Sequence, residues 1–191
     1  PMVSFSDYRL GNDLAKRVAE DYPSRFLRYI MINPHYPKEI EAELERCTIS
    51  RPFLIKIHPN THSYPANGPN YRAMWNWANQ NECVVLSHTW GGDKYSDPLI
   101  FDQLAVEYPK VKIILGHSGA NWEGFRHSIE VVKKRETVYL DLTMSFAYFG
   151  LVEYFVKEVG SGRILYGSDM PFIEASAGLG KVAYALSLIH I

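Results

Sequence analysis

The sequence predicts an α/β fold: a (β/α)8 TIM barrel, incomplete, with about six βα units present. Three observations carry this. Short apolar runs return at a steady interval, amphipathic stripes fill the intervals, and ionisable residues close the runs at one end only.

The apolar runs are Phe26–Ile32, Phe53–Ile57, Cys83–Ser87, Val111–Leu115, Thr137–Leu142 and Arg163–Tyr166, and their starts fall 26 to 30 residues apart. Each is short and rich in β-branched or aromatic residues, as a strand buried on both faces should be. Helices are expected between them. Asn12–Asp21 has an Asn/Asp start and a Leu14/Val18 face. Ile40, Leu44 and Cys47 follow Pro37 at helical spacing, and Ile100 and Leu104 follow Pro98. Trp122, Phe125, Ile129 and Val132 form a longer stripe, and Leu151, Phe155 and Val159 another. Tyr71–Gln80 is a helix of less clean periodicity. Such alternation implies parallel strands joined by right-handed crossovers. An open doubly wound sheet also satisfies it, but no glycine-rich dinucleotide fingerprint follows any strand, and Gly91-Gly92 is an isolated pair.

The composition narrows the function. A chain of 191 residues, 47% hydrophobic, forms one domain with a substantial core. Net charge is −1 and no basic run stands out, which argues against nucleic acid and anionic membrane as partners. Cys47 and Cys83 lie far apart in apolar contexts and read as buried thiols in a reducing, cytoplasmic setting. No stretch is long and apolar enough to span a bilayer.

The placement of polar residues favours the barrel. Residues two apart in a strand share a face. On that count His88 falls in line with Leu86 and Val84, His117 with Leu115 and Ile113, and Asp169 with Gly167 and Leu165. Lys56 and His58 fall in line with Leu54, and Asp141 ends its run. Five strands therefore finish on an ionisable residue, all at the C-terminal end, where β/α barrels place catalysis. His, His and Asp supply the imidazole nitrogens and carboxylate oxygen that a zinc-like ion takes as ligands.

These segments resemble the amidohydrolase-related family, a branch of the amidohydrolase superfamily that includes aminocarboxymuconate-semialdehyde decarboxylase-like members. The likeness rests on Ile55-Lys56-Ile57-His58-Pro59, Leu86-Ser87-His88-Thr89-Trp90, Leu115-Gly116-His117-Ser118-Gly119 and Leu165-Tyr166-Gly167-Ser168-Asp169-Met170-Pro171-Phe172. It implies that the visible strands are the third to the eighth of the barrel. It also implies that His88 and Asp169 are metal ligands, that His117 and Asp169 are catalytic, and that His58, Lys56 and Trp90 face the substrate pocket. The cofactor implied is a divalent metal, with Zn²⁺ the expected ion. The family's strand-one His-x-His pair is absent, and His58 and His62 are the nearest histidines on offer. The chain is expected to be a single partial barrel over residues 1–191, with 186–191 reading as a foreign tail.

The function implied is metal-dependent hydrolysis of a C–N or C–O bond in a small organic substrate. Metal-lowered water acidity would supply hydroxide, with Asp169 moving the proton and His117 polarising the substrate oxygen. The same site can instead decarboxylate an aromatic or muconate-type acid. A third expectation is that the piece, with two ligands and open sheet edges, is inactive alone or pairs with another chain as a homo-oligomer.

Overall fold

Six parallel strands and the helices between them build a single open sheet in the computed structural model, which describes residues 7–47, 54–144 and 148–185. The order is α1 (Tyr8–Asp21), β1 (Ile30–Met31), α2 (Ile40–Cys47), β2 (Leu54–Ile57), the short α3 (Pro59–His62), α4 (Arg72–Gln80) and β3 (Val84–His88). It continues with α5 (Ile100–Glu107), β4 (Lys112–Gly116), α6 (Trp122–Lys134), β5 (Val138–Asp141), α7 (Leu151–Val159), β6 (Ile164–Leu165) and α8 (Ala175–Ala183).

The strands lie in sequence order, each paired in parallel with the next. Ile55 sits opposite Val85, Val85 opposite Ile113, Ile113 opposite Val138 and Leu140 opposite Ile164. Among the described residues no ladder joins β6 back to β1. The expected β/α architecture is therefore present as an unclosed barrel. No described helix is long and apolar enough to cross a membrane.

Period-two alternation separates two environments. Ile55, Ile57, Val85, Ile113, Leu115, Val138 and Leu140 point to one face. They form one core with Leu44, Trp75, Phe101, Leu104, Phe125, Val132 and Phe155 of the helices. The intervening residues Lys56, Leu86, Ile114 and Asp141 point to the other face and line a cavity. Cys47 and Cys83 are both buried in this core and not joined in a disulfide, as expected.

Local chemistry fixes the helix ends. The Asp7 carboxylate accepts the Leu10 N–H and starts α1, and Asn121 does the same for Gly124 in α6. Lys133 and Lys134 close α6, where cations suit the helix dipole.

Four expectations are corrected. α1 begins at Tyr8 rather than Asn12, and its Leu14 and Val18 are 38% and 44% exposed. Its buried residues are Tyr8, Gly11 and Asn12. The run 26–32 yields only Ile30–Met31 as ladder, because Phe26 still belongs to the turn that ends α1, its N–H bonded to the Tyr22 carbonyl. Trp122 is 48% exposed and leaves the α6 stripe to pack edge-on against Phe125 and Tyr148. Ile113 and Leu115 face the helices, so His117 does not share their face, for a reason given below. The expected tail at 186–191 lies outside the described residues.

Candidate active site

At the C-terminal ends of the strands lies a cavity of about 350 Å³. Its walls include Lys56 from β2, His117 after β4, Asp141 at the end of β5 and Asp169 after β6, with Tyr29 before β1 closing one side. Four of the five ionisable strand ends read from the sequence are thus involved directly. His88, at the end of β3, joins through its neighbour: its ring meets His117 edge-on with centroids 4.7 Å apart.

His88 is the centre of an aromatic stack. His58 lies against one side at 4.0 Å and 13°, and Trp90 is stacked at 6.2 Å and 16°. His58 has a local task as well, since its Nδ1 accepts the Thr61 N–H and caps α3. Trp90 is held by its own N–H, which donates to the Ser96 carbonyl.

Burial sets the charge of these rings. Desolvation, with Lys56, His117 and His62 nearby, pushes the His58 imidazole down to about 3. Desolvation, with His58, His117 and Lys56, pushes His88 down to about 2. His117 is lowered by burial and by Lys56, against the opposing pull of Asp141 and Asp169. All three are neutral at physiological pH and so keep the lone pair a metal ligand requires. The Lys56 ammonium is pushed down to about 8 by burial, with Asp141 and Asp169 resisting.

The turn that delivers His117 is unusual. His117, Ser118, Gly119 and Ala120 all have left-handed φ, at 64°, 48°, 86° and 59°. For a residue with a Cβ this costs of order 1 kcal/mol each, so outside contacts must hold it. The Thr89 hydroxyl accepts the Gly119 N–H at 2.9 Å and donates to the Gly116 carbonyl at 2.7 Å. Ser118 Oγ is within 2.8 Å of the Asp141 carbonyl and 3.0 Å of the Asp141 N–H. The His117 N–H donates to Asp141 Oδ2 at 3.0 Å. The left-handed turn carries His117 off the helix-facing side of β4 and into the cavity, where strict alternation does not take it.

A divalent ion can be tested against these donors. The Nδ1 atoms of His88 and His117 are buried with no hydrogen-bond partner, and Asp169 supplies a carboxylate at the same mouth. The donor chemistry suits such an ion. The donor number is short: no three His, Cys, Asp or Glu among the described residues are grouped to hold a metal.

Sequence reasoning gave Asp141 no role and overlooked Thr89, Ser118, Gly167 and Tyr29. Gly167 carried a readable signal, a glycine two residues before Asp169. A Cβ there would lie 2.1 Å from Thr143 Oγ1 and 2.3 Å from Asp141 Oδ1, so only glycine lets β6 approach β5 this closely.

The fold and the cavity define a class: a parallel β/α barrel with a polar, histidine-rich mouth at the strand C-termini. The amidohydrolase family profile matches residues 2–188, and the chain belongs to that family. An uncharacterised TIM-barrel protein of Bordetella bronchiseptica superposes with a TM-score of 0.77 at 18% identity, covering 90% of this chain and 64% of that one. A 2,6-dihydroxybenzoate decarboxylase complexed with 2,6-dihydroxybenzoate gives 0.76 at 18% identity, covering 97% and 72%. A dihydroxybenzoic acid decarboxylase of Polaromonas, with bound manganese and 2-nitroresorcinol, gives 0.72 at 18% identity, covering 97% and 70%. The chain thus spans 64% of the length of the Bordetella protein. No curated protein sequence matches it.

Proposed function

We propose that this domain belongs to a metal-dependent decarboxylase of a small aromatic acid, with metal-dependent hydrolysis as the second reading. The observation that carries it is the cavity itself, where one half-buried cation, Lys56, shares the walls with two carboxylates, Asp141 and Asp169, beside two unpartnered imidazole nitrogens. Lys56 and the two carboxylates together leave the mouth with an excess of one negative charge. Such a site favours a divalent cation first and an anionic substrate only once that cation is bound. Membership of the amidohydrolase family supports the metal, and the decarboxylases among the fold neighbours support the chemistry.

His88 and Asp169 would hold the ion. The ion would supply a Lewis acid for negative charge on a substrate oxygen. Zn²⁺ is the ion proposed, and the manganese of the Polaromonas enzyme marks the alternative. Lys56, which lines the cavity, would pair with the substrate carboxylate. The bond from ring carbon to carboxyl carbon breaks, CO₂ leaves, and the ring carbon keeps the electron pair and takes a proton. Asp169 is placed to handle that proton, and the neutral His117 to hydrogen-bond the substrate oxygen. The cytoplasmic setting proposed for the enzyme suits its two reduced, buried thiols.

The test combines metal content with product analysis. Protein loaded with Zn²⁺ or Mn²⁺ is offered dihydroxybenzoates, lactones and amides, with CO₂ measured. Release of CO₂ from the benzoates supports the proposal, and turnover of lactones or amides without CO₂ returns the hydrolase. His88→Ala and Asp169→Ala should each lose the ion. Full metal retention by both would reject the assignment.

A further inference from the structure

We propose that Asp141 is the positioning residue of the mouth, holding the left-handed turn at 117–120 through the His117 N–H and so aiming the His117 ring at His88. The catalytic relevance of that aim rests on the function proposed above, whereas the positioning itself is a property of the fold.

β4 ends with Ile113 and Leu115 turned to the helical core and Ile114 and Gly116 turned to the cavity. Regular extension would send the next side chain, His117, toward the core side. Instead four successive left-handed residues reverse it. Two anchors from β5 meet this turn. Ser118 Oγ bridges the backbone N–H and C=O of Asp141, taking the place of a ladder partner. The Asp141 carboxylate takes the His117 N–H on Oδ2. The first anchor is neutral and binds the residue after His117. The second is charge-assisted and binds His117 itself, so it governs the ring's origin more directly.

The other carboxylate oxygen is constrained too. Oδ1 faces Gly167, where a Cβ would come within 2.3 Å. The carboxylate is therefore wedged between the β4 turn and the end of β6, and Asp141 is 7% exposed. One residue thus lies between the turn that carries His117 and the segment that leads to Asp169, without being assigned to the metal.

The experiment compares Asp141→Ala, Asp141→Asn and Ser118→Ala in the full chain by amide hydrogen exchange and ¹H–¹⁵N spectra. In Asp141→Ala the His117 amide should exchange roughly ten- to a hundredfold faster, the range expected for losing one charge-assisted bond. The amides of Ile114 and Leu115 should keep their protection. In Asp141→Asn, which retains an acceptor, protection should be largely restored, with the His117 amide proton moving upfield as the acceptor loses its charge. Ser118→Ala should leave that proton shift near its original value. Unchanged His117 exchange in Asp141→Ala would overturn the proposal. If Asp141→Ala does not fold, an unmoved His117 shift in Asp141→Asn overturns it instead, and an upfield move supports it. Should His88→Ala and Asp169→Ala both keep full metal content, the functional reading fails while these spectra still decide the positioning. Where turnover is measured, Asp141→Asn should lower kcat more than it changes KM or metal content.

Discussion

Asn12 tests the logic of the open sheet. It lies in α1, is 2% exposed, and bonds the outer edge of β1 as a neighbouring strand would. Its Nδ2 donates to the Met31 carbonyl at 3.0 Å, and its Oδ1 accepts the Met31 N–H at 2.8 Å. Nδ2 also donates to Glu43 Oε1 at 2.8 Å, and Glu43 is wholly buried in α2. Asn12→Ala therefore removes three buried hydrogen bonds in one step, two from the Met31 backbone and one from Glu43, whose Oε1 still takes Arg46 Nη2 at 2.7 Å. At about 1 kcal/mol for each lost bond the cost is about 3 kcal/mol. The better helix propensity of alanine returns about 0.5 kcal/mol. A net loss of about 2.5 kcal/mol is a large part of the 5–15 kcal/mol typical of a domain. The assay is urea unfolding at neutral pH, followed by circular dichroism and tryptophan fluorescence. Leu14→Ala, on the exposed face of the same helix, should change stability by less than about 0.5 kcal/mol. An Asn12→Ala variant within about 1 kcal/mol of the parent would refute the idea that this side chain substitutes for a strand.

Three further outcomes follow from named contacts. In metal-free protein the Lys56 ammonium is depressed from 10.5 to about 8, so its burial penalty is complete below pH 8 and vanishes above pH 10.5. Lys56→Met should then be more stable at pH 7 by at most about 3 kcal/mol. The gap should close as the pH rises between those values, and a gap independent of pH would refute the cause. Gly167→Ala should destabilise by about 1–3 kcal/mol through overpacking. Gly162→Ala, where a Cβ meets nothing within 4 Å, should not, and equal urea midpoints for the two would discard the close-approach argument. Cys47 and Cys83 are buried and outside any disulfide, so a thiol reagent should titrate both only in denaturant. Rapid reaction of either in native protein would contradict their burial.

Much of the fold was legible because it depends on short-range periodicity. Buried parallel strands need continuous apolar runs, and their crossovers need a stripe, so both leave marks in sequence. The strands β2 to β5 fall within a residue or so of their predicted ends. What failed was where apolar residues do not face the core. Leu14 and Val18 lie on the outer side of α1 while the polar Asn12 is buried, because satisfying the Met31 backbone outweighs burying aliphatic surface at that position. Phe26 was read as strand from its apolar character, but its backbone completes a turn.

The candidate site shows a sharper limit. Alternation correctly set Lys56, within β2, on the cavity side; Asp169 also lines the cavity, but from four residues beyond β6 and with its own φ at 58°. The same alternation set His117 at the right end of β4 but on the wrong side, and the residue reaches the cavity only through a left-handed turn. Such a turn has no periodic signature. Its cost is met by Thr89, Ser118 and Asp141, all of which sit 23 to 30 residues from the backbone atoms they bind. Pattern reading works over the reach of one element, whereas the aim of this cavity side chain is set by groups from several. The residues that convert a strand-end histidine into a cavity histidine are therefore the ones a single sequence hides best, and Asp141 is the one whose change should reveal it most directly.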